Sequence, residues 1–364
     1  MSLKRFLKRL KMLAKISQDS LKSDEKFLED IYQELLGRGI DESGKETHLE
    51  KLKEGHTRES IILNIVQSEE FKNKVIRENI PLLPIKNERP EKYHLMDDIH
   101  RSEKIWVFKA EHKEDFDWLE KKVLENGYYE KPGVWSFEIN EDKRLLAEIA
   151  SVFYPKSVLD IGCANGPVIK CLKDLGIHSE GVEISQMALA KAFPDIRENI
   201  HFGDLLEVDL SSRYDLILGL DIYEHLNPNK LDAFISRIYD LLSEGGYLFC
   251  NIPAFGKDVI FGEVFQVYIK DWEEDIHKGR FFQTVHVDNY GYPVNGHIIG
   301  ADSEWWVDQF EKAAFKRELE IEKALHKKYD EVMGRISVAR KSFYIFSKNV
   351  SENRNQDVIL RLNR

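Results

Sequence analysis

The sequence lacks several features that mark common classes of protein. Its 364 residues include only three cysteines, Cys163, Cys171 and Cys250, which form neither a CxxC pair nor a zinc-ligand pattern. A disulfide framework is therefore not expected, and scattered thiols fit a reducing cytoplasm. No apolar run approaches the roughly 20 residues that span a bilayer, and the N-terminus lacks the uninterrupted apolar core of a signal peptide. The sequence thus predicts a cytoplasmic protein.

An overall excess of positive charge is also missing. The formal net charge is −11, which argues against a general nucleic-acid surface and predicts no DNA partner. Residues 1–22 are an exception, because they carry seven lysines and arginines against one acid, Asp19. Apolar residues recur in this segment at helical spacing, so it predicts a basic amphipathic helix. That helix either contacts an anionic membrane, placing the protein peripherally at the inner face, or packs on a neighbouring helix.

Residues 23–78 have the pattern of a small helical module. Apolar positions at helical spacing fall into three stretches, separated by Gly37-Arg38-Gly39 and by Gly55, and Thr57 is placed to cap the third. The strings IYQELLGRGIDESG and LKEGHTRESIILNIVQSEEF resemble a small helical domain of unassigned function that is attached to bacterial glycan-modifying enzymes. The resemblance implies a docking or assembly module, and an inert helical cap is the alternative.

Prolines at 81, 84 and 90 predict a linker over residues 79–95. The main domain is expected over 96–350. Residues 253–304 form an aromatic-rich insertion that predicts a substrate lid. The last residues, 351–364, are polar and charged, and they predict a frayed tail.

The main domain is organised around residues 157–166. Ser157 to Ile161 is a short apolar run that predicts a buried strand, and the glycines that follow allow a sharp turn before a helical pattern over 168–175. This order predicts the ligand crevice of a doubly wound sheet. The Gly-x-Gly-x-x-Gly spacing of a dinucleotide site is absent, and Asp160 at the strand end would repel a pyrophosphate but suit a cation.

Asp160 to Gly166 resembles the first motif of class I S-adenosylmethionine (SAM)-dependent methyltransferases, Asp-x-Gly-x-Gly-x-Gly, with Ala164 in place of the middle glycine. Further elements in family order extend the resemblance over about residues 142–252. It implies an α/β fold, a doubly wound seven-stranded Rossmann-like sheet with a small all-α N-terminal domain, and SAM as cofactor. The implied cofactor-binding residues are Asp160, Gly162, Ala164, Gly166, Glu183 at the ribose, Asp204 at the adenine, Leu205 and Leu220.

Asp221, Glu224 and His225 are the predicted catalytic residues. Their spacing of i, i+3 and i+4 predicts one shared helical face. The pattern resembles the divalent-metal site of ubiquinone-pathway O-methyltransferases and of small-RNA 3′-end ribose O-methyltransferases, with Asp221 replacing the usual glutamate. His297 precedes a Glu-Trp stretch that resembles the source of a further ligand in the RNA-end subgroup. The resemblance implies Mg²⁺ or Mn²⁺ on these four residues, and His225 acting alone as general base is the alternative.

Four residues are predicted to contact the acceptor: Trp135, His286, Tyr292 and His297. The predicted function is that of a SAM-dependent O-methyltransferase acting on a sugar hydroxyl of a cell-surface glycan or its precursor. A small aromatic or quinone acceptor and an RNA 3′ end are alternatives, and a non-catalytic SAM-fold scaffold is the alternative from another class. The oligomeric state is left open.

Overall fold

The structure, a computed structural model, describes residues 22–36, 38–67, 82–131, 137–210 and 212–363. The chain divides into two compact units, Met1–Pro81 and Leu82–Arg364. Apart from Lys22, the predicted amphipathic helix over residues 1–22 lies outside the described residues. None of the helices that the structure describes has the length and apolarity needed to cross a membrane.

The described residues of the first unit form three helices, as the sequence predicts. Phe27, Ile31 and Leu35 are fully or almost fully buried and form its core with Ile61. The hydroxyl of Thr57 accepts a hydrogen bond from the backbone N–H of Ser60 at 3.2 Å, which caps the third helix. The helices are α1 (Asp24–Leu36), α2 (Glu42–Lys53) and α3 (Arg58–Gln67).

The second unit is an α/β domain, as predicted. Its strands are β1 (Tyr93–Asp97), β2 (Lys104–Lys109), β3 (Ser157–Ile161), β4 (His178–Glu183), β5 (Ile200–Phe202), β6 (Tyr214–Leu220), β7 (Leu242–Asn251), β8 (Lys257–Asp258), β9 (Gly262–Glu263), β10 (Thr284–Val287), β11 (Lys316–Arg317) and β12 (Phe343–Ser347). Its helices are α4 (Lys113–Glu125), α5 (Glu141–Ser151), α6 (Pro167–Asp174), α7 (Gln186–Ala190), α8 (Leu231–Leu241), α9 (Lys270–His277), α10 (Ser303–Lys312), α11 (Leu319–Ile336) and α12 (Glu352–Leu362).

Seven strands form the main sheet in the order β11-β12-β7-β6-β3-β4-β5. Strands β3 to β7 pair in parallel, and β12 pairs antiparallel with both β7 and β11. Alternate residues of the buried strand β6 face opposite sides of this sheet: Ile217 packs in a cluster with Trp306 of α10, and Leu216 packs in another with Leu325 of α11. Helices therefore cover both faces, which confirms the doubly wound prediction.

A second, three-stranded antiparallel sheet has the order β1-β2-β10. Strand β10 comes from the segment 253–304 that the sequence predicts to be a lid. The rings of Trp272 and Phe282 in this segment stack at 4.2 Å and pack against Val107 of β2. Much of the predicted lid therefore pairs with and packs against residues 93–109 as a fixed part of the domain.

Two predicted boundaries are wrong. The linker expected over 79–95 ends no later than residue 81, because the second unit begins at Leu82, and Ile85 and Tyr93 lie buried in its core. The tail expected over 351–364 forms α12 instead. Ser351 caps this helix, and Val358 and Leu362 pack into the core beneath the main sheet. These two apolar positions, together with the buried and hydrogen-bonded Asn355, dock a helix whose remaining residues are mostly polar.

Candidate active site

A cavity of about 720 Å³ opens at the carboxyl ends of β3, β4 and β6. This edge is where doubly wound sheets bind ligands. Seven of the eight predicted cofactor residues line it: Asp160, Gly162, Ala164, Glu183, Asp204, Leu205 and Leu220. Gly166 belongs to the same turn but does not line the cavity.

The turn after β3 depends on left-handed backbone at Gly162, Ala164 and Gly166, with φ of 70°, 52° and 79°. A Cβ added at Gly166 would lie 2.2 Å from Ile196 Cδ1, so no larger residue fits there. The left-handed backbone at Ala164 costs free energy that a glycine at this position would avoid. Its backbone N–H donates to Glu183 Oε2 at 2.8 Å, which ties the turn to the end of β4.

Glu183 is buried at the end of β4 with its carboxylate fixed by backbone donors. Besides Ala164, the N–H of Ser185 donates to Oε1 at 2.6 Å. Burial raises the pKa of this carboxyl, and the backbone hydrogen bonds oppose that rise. Each oxygen keeps acceptor capacity toward the cavity, because a carboxylate oxygen can accept more than one hydrogen bond.

Asp160 is buried at the end of β3. Burial raises the pKa of its carboxyl to about 7, and the positive charge of Lys143 opposes this rise. Lys143 also lines the cavity, and its Nζ lies 3.4 Å from Asp142 Oδ2. A cationic ligand at this end would favour the ionised form of Asp160.

The chemistry of these groups fits SAM. Asp160 and Lys143 suit the ammonium and carboxylate of an amino-acid end, and Glu183 suits the two hydroxyls of a ribose. Asp204 suits the adenine amine. Its Oδ1 accepts from the N–H of Leu206 at 2.9 Å, which fixes the orientation of the carboxylate.

At the other end of the cavity, the prediction of one helical face for Asp221, Glu224 and His225 is wrong. Asp221 has left-handed backbone with φ of 56°, and Ile222 has φ of −124°. Only Tyr223–His225 forms a turn, which is a single turn of 3₁₀-helix. Asp221 Oδ2 accepts from Nη1 of Arg340 at 2.5 Å, so its carboxylate is directed to an arginine that the sequence analysis did not identify.

Glu224, His225 and His297 do come together. One potential ligand atom from each lies within 4.8 Å of the others. Nε2 of His225 and Nε2 of His297 each lie 3.9 Å from the same oxygen, Glu224 Oε1. Within the described part of the chain, neither carboxylate oxygen of the buried Glu224 has a hydrogen-bond partner. An unpartnered buried carboxylate beside two imidazole nitrogens is a donor set that fits a divalent metal ion.

Hydrogen bonding determines the tautomer of His225, and burial keeps both histidines neutral. Nδ1 of His225 lies 3.1 Å from the carbonyl oxygen of Gly296, which can only accept, so Nδ1 carries the proton and Nε2 presents a lone pair. Burial lowers the pKa of His225 to about 4 and that of His297 to about 3. Both imidazoles are therefore neutral near pH 7. Burial raises the pKa of Glu224 well above its usual range.

The four residues predicted to contact the acceptor do not lie together in the structure. His297 lines the cavity. His286 and Tyr292 do not: Nδ1 of His286, on β10, is 2.8 Å from the Tyr268 hydroxyl, and Tyr292 is fully buried beside the ring of Tyr128. Trp135 lies outside the described residues.

Several cavity residues escaped the sequence analysis because they come from distant segments without a motif. They are Glu120, Tyr128, Tyr129, Lys143, Asn295 and Arg340. Tyr129 is the most informative of them, since its hydroxyl lies 3.5 Å from His225 Nδ1 and its carbonyl accepts from the Ser185 hydroxyl at 3.3 Å. The neighbouring Glu130 accepts from the N–H groups of Gln186 and Met187. The short 3₁₀ turn Tyr128–Glu130 thus contacts both ends of the cavity, and no local sequence pattern predicts this relationship.

Residues 135–327 match the sequence profile of a family described as "Methyltransferase domain", and this range exceeds half of the chain. The chain belongs to this methyltransferase family. Residues 14–75 match a second profile, described as "Domain of unknown function (DUF4214)". The chain accordingly combines a domain of this methyltransferase family with an N-terminal unit whose described residues form helices.

Among curated relatives, this methyltransferase is 27% identical over 122 residues to the ubiquinone biosynthesis O-methyltransferase of Paraburkholderia xenovorans, which covers 31% of this chain and 52% of the relative. The corresponding protein of Paraburkholderia phytofirmans matches equally. The chain thus spans about half the length of the curated relatives that it matches.

Solved structures similar to this methyltransferase include the Burkholderia thailandensis 1,6-didemethyltoxoflavin-N1-methyltransferase, with a TM-score of 0.42 and 12% identity over 71% of this chain and 100% of the other. CalS10, an amino pentose methyltransferase of Micromonospora echinaspora, has a TM-score of 0.37 and 17% identity over 62% of this chain and 96% of the other.

Proposed function

We propose that this methyltransferase transfers the methyl group of SAM to a hydroxyl oxygen of a sugar, in a cell-surface glycan or its precursor, with the help of a divalent metal ion. The observation that carries the metal proposal is Glu224, whose unpartnered carboxylate lies 3.9 Å from two imidazole nitrogens on the cavity wall. The curated relatives named as O-methyltransferases support oxygen as the acceptor atom. The N-terminal module supports the glycan, by its resemblance to domains attached to glycan-modifying enzymes.

When bound, SAM supplies an electrophilic methyl group on a sulfonium, and the chain has to position it. Asp160, Glu183 and Asp204 orient three different parts of the cofactor along the strand ends. The burial of Asp160 and Glu183 excludes water and strengthens their polar contacts. Positioning of this kind accounts for much of the rate of a displacement reaction.

A sugar hydroxyl is a weak acid, so its proton must be removed or its acidity increased. Glu224, His225 and His297 would hold the metal, which would supply Lewis-acid activation of the hydroxyl. The neutral imidazoles suit this role, because a histidine binds metal through an unprotonated nitrogen. Gly296 keeps His225 in the required tautomer through its carbonyl.

The alternative is that no metal binds and His225 Nε2 accepts the proton of the hydroxyl directly. Methyl transfer measured in EDTA, with and without added Mn²⁺, distinguishes the two. The metal proposal predicts loss of turnover in the chelator and recovery with Mn²⁺, and it predicts that Glu224→Gln is inactive. Full turnover in EDTA combined with an inactive His225→Ala variant would contradict it. His286→Ala is the matched control, because His286 lies outside the cavity.

A small aromatic or quinone acceptor is the second candidate, and the names of the curated relatives favour it. Mass spectrometry of products formed from labelled SAM with glycan, quinone-precursor and RNA acceptors separates these classes. Transfer only to the quinone precursor or only to RNA would reject the glycan. Calorimetric titration with SAM tests the scaffold alternative, since a non-catalytic scaffold that lacks cofactor binding would show no heat.

A further inference from the structure

A second cavity, of about 300 Å³, lies at the opposite edge of the main sheet from the SAM crevice. Its lining includes Tyr154 and Lys156 just before β3, Asp215 near the start of β6, and three residues of α12, namely Arg354, Asp357 and Arg361. The two cavities therefore lie at opposite ends of the same parallel strands, about 17 Å apart for a five-residue strand.

The charge of this cavity is opposite to that of the protein as a whole. Lys156, Arg354 and Arg361 contribute three positive charges against the two carboxylates of Asp215 and Asp357, whereas the chain carries a net charge of −11. Among the described residues, no carboxylate lies within 4.0 Å of any of these three cationic side chains. Asp215 is engaged elsewhere, since its Oδ2 accepts from the backbone N–H of Lys156 at 2.9 Å.

The two arginines are held in place by aromatic rings rather than by acids. The guanidinium carbon of Arg361 lies 3.9 Å from the ring centroid of Tyr154, and that of Arg354 lies 5.3 Å from the ring centroid of Tyr247. Such stacking fixes a guanidinium while leaving its N–H donors available. Two positioned guanidinium groups beside a lysine are the arrangement that binds a phosphoryl group through several N–H donors.

The backbone of Tyr154 supports a role for its side chain. It ends the turn after α5 with φ of 49°, a conformation in which glycine or asparagine is usual, and Pro155 follows it. A bulky residue with positive φ before a proline is disfavoured on both counts. Even so, Tyr154 is 69% exposed as a residue, and its ring faces Arg361. Residues held in this way are typical of ligand clamps.

We infer that this cavity is a binding site for a diphosphate group, formed by Lys156, Arg354 and Arg361 with Tyr154 beside them, and separate from the SAM site. The site exists only because α12 docks against the sheet, where the sequence predicts a frayed tail. Val358 and Leu362 bring both arginines to the start of β3. The inference does not depend on the identity of the methyl acceptor.

Calorimetric titration of the full chain with inorganic pyrophosphate tests the site, with EDTA present so that no divalent ion mediates binding. The double variant Arg354→Gln/Arg361→Gln should bind pyrophosphate at least tenfold more weakly than the wild type and retain its SAM affinity. The control Arg101→Gln/Arg197→Gln removes two exposed arginines elsewhere and should bind like the wild type. Circular dichroism of the double variant verifies that α12 is still folded.

Equal pyrophosphate affinity in the wild type and the folded double variant would overturn the inference, as would an equal loss in the control. A second titration uses uridine diphosphate. Tighter binding than pyrophosphate, lost in Tyr154→Ala, would support a nucleotide ligand whose base stacks on the tyrosine. Equal binding of the two probes would support recognition of the diphosphate alone.

Discussion

The guanidinium of Arg340 lies 2.5 Å from the carboxylate of Asp221 and links the two ends of the methyltransferase cavity. The same guanidinium holds both oxygens of Asp142, at 2.7 and 3.0 Å. Asp142 precedes Lys143, the cation beside Asp160 at the cofactor end, and Asp221 lies at the acceptor end. Alternating charges therefore run from one end of the site to the other. Asp221, paired in this way, is not part of the cluster of Glu224 with the two histidines.

Replacement of Arg340 should destabilise the domain. Arg340→Met leaves the half-buried Asp221 without its arginine and the buried Asp142 with Lys143 alone, and loss of one member of a buried pair costs about 3 kcal/mol. Urea denaturation measures the free energy of unfolding. Arg335→Met is the control, since Arg335 forms an exposed pair with Glu141 and should change stability by less than about 1 kcal/mol. Equal effects of the two variants would contradict a structural role for the Arg340 network.

Removing either buried acid of the cofactor end should weaken SAM binding without unfolding the domain. Asp160→Ala and Glu183→Ala each remove charge-assisted contacts worth on the order of 1.5–3 kcal/mol, so the affinity should fall about tenfold or more. Calorimetric titration gives the dissociation constants, and thermal melting verifies the fold. Unchanged SAM binding in both folded variants would refute the assignment of the cofactor site.

SAM affinity should depend on pH through Asp160. Its pKa of about 7 means that the carboxyl is largely protonated below neutrality, whereas a cationic ligand requires the ionised form. Affinity should therefore rise with pH through this range, with the dissociation constant roughly tenfold larger at pH 6 than at pH 8. The test is a series of SAM titrations across this range. In Asp160→Asn the dependence should disappear, and its persistence there would assign the titration to another group.

Gly296 should be essential for the geometry at His225. A Cβ at Gly296, which has φ of 80°, would lie 2.9 Å from His225 Nδ1, so Gly296→Ala should displace the imidazole and reduce methyl transfer at least tenfold. SAM affinity should stay unchanged, because the cofactor residues are on other elements. Gly279→Ala is the matched control, since Gly279 also has positive φ, at 61°, but has no neighbouring atom within 4 Å of an added Cβ. Similar activity in both variants would refute the role of Gly296.

Deletion of residues 1–22 tests the membrane hypothesis for the basic segment. If it binds an anionic surface, the shortened protein should no longer sediment with anionic vesicles, while methyl transfer to a soluble acceptor stays intact. Neutral vesicles are the control for non-electrostatic binding. Failure of the shortened protein to fold would instead support a structural helix.

Local sequence was sufficient to predict the features that one short segment forms by itself. The apolar run of β3, the positive-φ positions around Ala164 and the acid at Glu183 are all set by neighbouring residues, and each is where the sequence placed it. Local pattern misled at Asp221, because a helical spacing predicts a shared face only if the backbone is helical. Here the backbone turns at Asp221 and Ile222 to leave the strand.

The sequence by itself determined the sheet, the position of the cavity at the strand ends and the presence of two units, because strand, turn and helix propensities act over a few residues. Only the tertiary structure decided the rest. It placed Gly296 and His297 against His225 across about seventy residues, and Arg340 between Asp142 and Asp221. It also docked α12 through Val358 and Leu362. These contacts depend on packing between segments far apart in the chain, and no periodicity or spacing within one segment records which distant side chain will be its neighbour.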